Sequence, residues 1–127
     1  MKTTLFALAA LLSIGACATE PASAWTEVGV RDVANHTDHD VIQLNGHRLY
    51  DRIKLCVYRN PVHFMDLNVS FNNGGDQPAP VRSLIPAGGC TRVIDLNGGQ
   101  RDIARIDMVY QEASWRYRAA TVRVFAE

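Results

Sequence analysis

Along most of this chain, hydrophobic and polar residues alternate over short stretches, and no long segment carries a 3.6-residue apolar period. Val28-Gly29-Val30, with Asp32 and Val33, reads as a first strand, and Val41–Leu44 as a second, stopped by Asn45-Gly46. Arg52–Tyr58 alternates cleanly: Ile53, Leu55 and Val57 fall on one face and Lys54, Cys56 and Tyr58 on the other. Val62–Phe71 follows, with Met65, Leu67, Val69 and Phe71 on one face; Phe64 is out of phase, which predicts a bulge or twist near the strand's start. Val81–Ile85 is expected at a sheet edge because Pro78 and Pro80 precede it. Cys90–Leu96, Ile103–Tyr110 and Thr121–Phe125 complete the set, and Gln111–Tyr117 is either a short helix or a loop. Gly-, Asn- and Pro-rich turns such as Asn72-Asn73-Gly74-Gly75-Asp76 separate the strands. Seven or eight short strands with turn signals at this spacing predict an all-β fold. The expected form is an antiparallel β-sandwich, jelly-roll-like, in which two sheets bury their apolar faces against each other.

The N-terminus departs from this pattern. Lys2 precedes an apolar run from Leu5 to Ile14, and small residues follow, ending in Ala22-Ser23-Ala24. A positive start, an apolar middle and a small-residue cleavage site make a secretory signal over residues 1–24. Residues 25–127 are then one β-sandwich domain. The run falls short of the roughly twenty apolar residues that a bilayer core requires, so no transmembrane span is expected. Two processing routes fit. Cleavage after Ala24 releases a periplasmic or secreted protein that starts at Trp25. Alternatively, Ile14-Gly15-Ala16-Cys17 acts as a bacterial lipobox, and acylated Cys17 anchors the chain in the envelope. A cut after Ala18 also leaves a soluble product.

Charge narrows the partners. The 127 residues carry 13 basic and 13 acidic side chains, for zero net charge. A neutral chain has no general electrostatic attraction to nucleic acid or to an anionic membrane. Export also changes the meaning of the three cysteines. Cys17 lies in the signal, which leaves Cys56 and Cys90 to pair in an oxidising compartment. Their disulfide would close a loop of about 35 residues and contribute roughly 3–4 kcal/mol. The strand faces disagree, however. Cys56 lies opposite Ile53, Leu55 and Val57, whereas Cys90 shares parity with Ile94 and Leu96. Either one face is mis-assigned or the bridge sits at a strand end.

Candidate chemistry is sparse. His36-Thr37-Asp38-His39-Asp40 is the densest polar cluster, with His47 a short loop away. Imidazoles and carboxylates this close suit a transition metal such as zinc, with His36, Asp38, His39 and Asp40 as ligands. The two aspartates alone suit calcium. A solvated turn whose Asp side chains cap backbone amides accounts for the same residues, and no recognised ligand spacing is present. Past the signal, Ser70, Ser83 and Ser114 lack a nucleophile-elbow context, and Glu27, Glu112 and Glu127 do not suggest a glycosidase pair. With both cysteines in a bridge, no catalytic residue is assigned and no enzyme is expected. Trp115 and Tyr117 share parity, with Arg116 and Arg118 opposite, and Trp25 begins the mature chain. Such aromatic rows stack on sugar rings or on a protein partner, or else cover the open end of a small core.

Taken together, Arg52-Ile53-Lys54-Leu55, Val69 to Gly74, Gly88 to Arg92, Val93 to Gly99, Arg101-Asp102-Ile103 and Ile106 to Tyr110 resemble a family of small exported bacterial proteins. They are grouped as a domain of unknown function that includes the YaaI-type proteins. The resemblance implies export and a β-rich fold, and it supplies no catalytic residues. The expectation is an exported, non-catalytic β-sandwich acting as a binding or envelope-associated module, with a glycan or an envelope protein as partner. A metal-binding periplasmic protein is the first alternative and a small hydrolase the second.

Overall fold

The computed structural model describes residues 24–33, 39–44, 46–111 and 119–127. Among them run ten strands: β1 (Thr26–Val33), β2 (His39–Gln43), β3 (Leu49–Tyr50), β4 (Arg52–Tyr58), β5 (Val62–Phe71), β6 (Asp76–Pro78), β7 (Ser83–Ile85), β8 (Ile94–Asp95), β9 (Arg101–Gln111) and β10 (Ala120–Ala126). Every pairing is antiparallel. Sheet A has the order β1-β10-β4-β8, and sheet B the order β2-β9-β5-β6, with β3 on β9 and β7 on β5. The two sheets pack face to face as the sandwich that the alternation predicts.

The core is the sum of the inward rows. Ile53, Leu55 and Val57 from β4 and Val122 and Val124 from β10 are fully buried in sheet A. Phe64, Leu67 and Val69 from β5 and Ile103, Ile106 and Met108 from β9 oppose them from sheet B. Two polar clasps join the layers. The Gln77 amide of β6 donates to the Asp95 carbonyl at 2.9 Å, and its oxygen accepts from the Asn97 N–H at 2.7 Å. Buried Asp40 of β2 accepts from Arg31 of β1 at 2.9 and 3.2 Å and from the Tyr110 hydroxyl at 2.8 Å. Burying a carboxylate is tolerable when its lone pairs are used in this way.

The expected bulge is present, and it corrects one inward residue. Phe64 pairs with Tyr110 and Asp66 with Val109, so Met65 is the extra residue. Phe64 therefore enters the core and Met65 sits half-buried outside the row that the periodicity gave it. The freed Met65 carbonyl accepts from the N–H groups of Val81 and Arg82, at 3.1 and 3.0 Å, and holds the segment leading into β7. That segment is irregular up to β7, which shortens the strand expected over Val81–Ile85 and leaves it at the edge beside β5. Cys90–Leu96 shrinks further, to β8 plus an isolated bridge at Cys90.

Candidate functional site

Alternation that fills the core from β4 and β10 also dictates what sheet A turns outward. Lys54, Cys56 and Tyr58 leave β4 on the face away from the core, as their parity predicts. The register sets Phe125 of β10 beside Lys54, Arg123 beside Cys56 and Thr121 beside Tyr58. On the other flank, β1 brings Glu27 beside Phe125, and Trp25 just precedes the strand. Trp25, Lys54, Cys56, Tyr58, Cys90 and Phe125 line an open groove of about 310 Å³ on this face.

Charges fix the rings. The Lys54 ammonium lies 4.6 Å from the Trp25 ring centre, and the Arg123 guanidinium 5.4 Å from that of Tyr58. Both are within cation–π range. Arg123 also donates to the Glu27 carboxylate at 2.8 Å. At one end of the face, Arg59 donates to Thr121 at 2.9 Å and to Asp32 at 3.1 Å, while the Thr121 hydroxyl donates to Asp32 at 2.8 Å. Arg59 holds φ at 79°, a left-handed turn conformation that lets the chain leave β4 toward β5.

The disulfide forms between Cys56 and Cys90, 34 positions apart, and it lies on this outer face. That resolves the disagreement in parity. The face of Cys56 was assigned correctly; counting from Ile94 back to Cys90 fails because residues 91–93 are irregular. The bridged pair is flanked by backbone bonds, Val57 N–H to Gly89 O at 2.9 Å and Thr91 N–H to Leu55 O at 2.7 Å.

The other candidate residues that the structure describes are held in structural contacts. His39 and Asp40 are consecutive strand residues and turn to opposite faces: His39 lies 3.5 Å from Asp107 on the outside of sheet B, and Asp40 points inward to Arg31 and Tyr110. These two do not converge on one point. His36, Asp38, Trp115, Tyr117 and Cys17 lie outside the described residues. Among the described residues no three His, Cys, Asp or Glu side chains gather as a metal site would require. Asp102 accepts from the Asn72 amide at 3.1 Å and contacts the His47 ring at 3.1 Å. The Asn72 bond holds its carboxyl below the ordinary value; desolvation opposes this, and the bond and charge of His47 reinforce it. The cavity beside it, lined by Val28, Leu44 and Tyr50 among others, measures only about 50 Å³. That is far below the few hundred Å³ of a small-molecule site, whereas the sheet A groove reaches that range.

Fold and groove together define a two-sheet antiparallel β-sandwich with an aromatic cleft on one outer face. The chain belongs to the family described as domain of unknown function DUF2541, whose model matches residues 5–126. No curated protein matches it. Among solved structures it is similar to Pseudomonas aeruginosa AlgX, with a TM-score of 0.54 at 10% identity, over 98% of this chain. The chain spans 34% of that protein, and at this identity the likeness is one of fold alone.

Sequence reasoning named Trp25, Trp115 and Tyr117 as the aromatic surface: Trp25 lines the groove, Trp115 and Tyr117 lie outside the described residues, and Tyr58 and Phe125 were missed. The parity of β4 already set Lys54, Cys56 and Tyr58 together. What it lacked was the strand order that lays β10 and β1 beside them.

Proposed function

We propose that this chain is an exported, non-catalytic module that binds saccharide rings on the outer face of sheet A. The observation that carries the reading is the convergence of Trp25, Tyr58 and Phe125 on one open groove. An outward sheet face usually presents polar side chains, and large aromatic groups gathered there mark an interaction surface. A sugar ring offers an apolar C–H face and a rim of hydroxyls. Aromatic side chains suit the first, and Lys54, Glu27 and Arg123 at the edges suit the second. The groove's volume fits one or two rings.

The non-catalytic reading is supported by the described residues that line the groove: an ammonium, three aromatic rings and two half-cystines held in a bridge. Export rests on the signal read in residues 1–24 and on the disulfide, which persists where thiols oxidise. Acylation at Cys17 is the alternative route to the envelope. Palmitate labelling of wild type against Cys17→Ala separates the two routes.

The function is tested by titrating the purified protein against a panel of neutral and charged oligosaccharides. Binding is expected, with Trp25→Ala and Tyr58→Ala each weakening it about tenfold at an unchanged melting temperature. A panel with no ligand, or full binding by Trp25→Ala, overturns the proposal.

A further inference from the structure

The bridge between Cys56 and Cys90 lies on the outer face of sheet A, away from the core. Ile53, Leu55 and Val57 complete the core side of β4 without it, each fully buried. The segment that carries Cys90 is already held to β4 by four hydrogen bonds. Two were described above; the others run from Gly88 N–H to Val57 O at 2.7 Å and from Leu55 N–H to the Thr91 hydroxyl at 3.1 Å. The two half-cystines also differ in access. Cys56 is 4% exposed, whereas Cys90 is exposed at the groove wall. Lys54 shares the outer face of β4 with Cys56, and Arg123 is its register partner on β10. Glu27, paired to Arg123, and the Tyr58 phenol also lie on this face, with Arg59 and Asp32 at its end.

We propose that this disulfide is a thiol-exchange site, with Cys90 Sγ as the sulfur attacked and Cys56 Sγ as the leaving group. The inference is independent of what the groove binds. An incoming thiolate from a small thiol or a dithiol protein attacks Cys90 Sγ. The S–S bond breaks, its electron pair departs on Cys56 Sγ, and a mixed disulfide forms on Cys90. With a dithiol reductant, its second thiolate then attacks the mixed disulfide. The reductant is released as its own disulfide and Cys90 as a thiolate, so two electrons pass to the protein and two protons follow. Exchange rates depend on access to the attacked sulfur and on how well the departing thiolate is stabilised. Exposure of Cys90 supplies the first condition; Lys54 and Arg123 are cations on the strand face that carries Cys56, where a departing thiolate would develop. Because both half-cystines line the groove, exchange alters the wall that a ligand meets.

The test is reduction of the folded protein by dithiothreitol without denaturant, with alkylation and thiol counting by mass spectrometry. The native bridge is expected to open within about tenfold of the rate in urea, with the β-sheet circular dichroism and a cooperative melt retained. A bridge that resists until urea unfolds the chain overturns the proposal. Glutathione, a monothiol, is expected to leave its adduct on Cys90 in peptide maps; an adduct on Cys56, or an even split, overturns the assignment. Lys54→Met is expected to slow opening severalfold at low salt and less at high salt. An unchanged rate removes Lys54 from the leaving-group role.

Discussion

A Cβ added to Gly29 would lie 2.7 Å from Cγ2 of Ile42. Ile42 is β-branched and only 1% exposed, so it has nowhere to yield. This glycine is one of the contacts by which β1 of one sheet closes against β2 of the other, and its role is to be small. Gly29→Ala is expected to destabilise by roughly 1–3 kcal/mol through overpacking, read from the midpoint of urea denaturation. Asp102 makes a different kind of prediction. Its folded-state carboxyl is lowered, first by the Asn72 hydrogen bond and then by His47. A lowered pKa contributes stability above the unfolded value, about 4, which is lost as the pH falls through the folded value. Melting curves should therefore separate wild type from Asp102→Asn at pH 7 and bring them together in the acid range. A gap that does not narrow on acidification contradicts this account.

At the scale of elements, legibility followed length. β4 and β5 were readable to their end residues because seven and ten positions carry a clear period, broken in β5 only by the bulge near its start. β3 and β6, with two and three residues, have no period to detect, and Pro78 within β6 argues against a strand. The bulge was foreseen from the misplaced Phe64, but its resolution was not. Whether Phe64 or Met65 faces inward depends on the partner strand, and Tyr110 of β9 selects Phe64. Gln77 was equally silent in sequence, since nothing local reveals that a glutamine on a three-residue edge strand reaches the opposite sheet. Its two bonds meet the backbone around β8. Gln77→Ala leaves the Asn97 N–H and the Asp95 carbonyl unserved, and should cost roughly 1–3 kcal/mol. An unchanged urea midpoint would show that water replaces the amide without loss.

For the molecule as a whole, sandwich class and disulfide pairing were legible, whereas of the groove only Trp25 was. The first two follow from alternation and from arithmetic on three cysteines. The groove depends on strand order, which brings together residues as far apart as Trp25, Lys54 and Phe125. The same order gives the disulfide a consequence beyond its own chemistry. The chain leaves β4 in sheet A, runs through β5, β6 and β7 in sheet B, and returns to Cys90 beside β4. The closed ring thus passes through both layers of the sandwich. When the protein is stretched from its two ends, the force travels from residue 56 to residue 90 through the sulfurs, and the 34-position excursion between them bears no load. Single-molecule pulling should give an unfolded contour shorter by roughly 12 nm in the oxidised protein than in the reduced one. A reductant added under tension should release that hidden length in one step, which turns the bridge into a gauge of its own state.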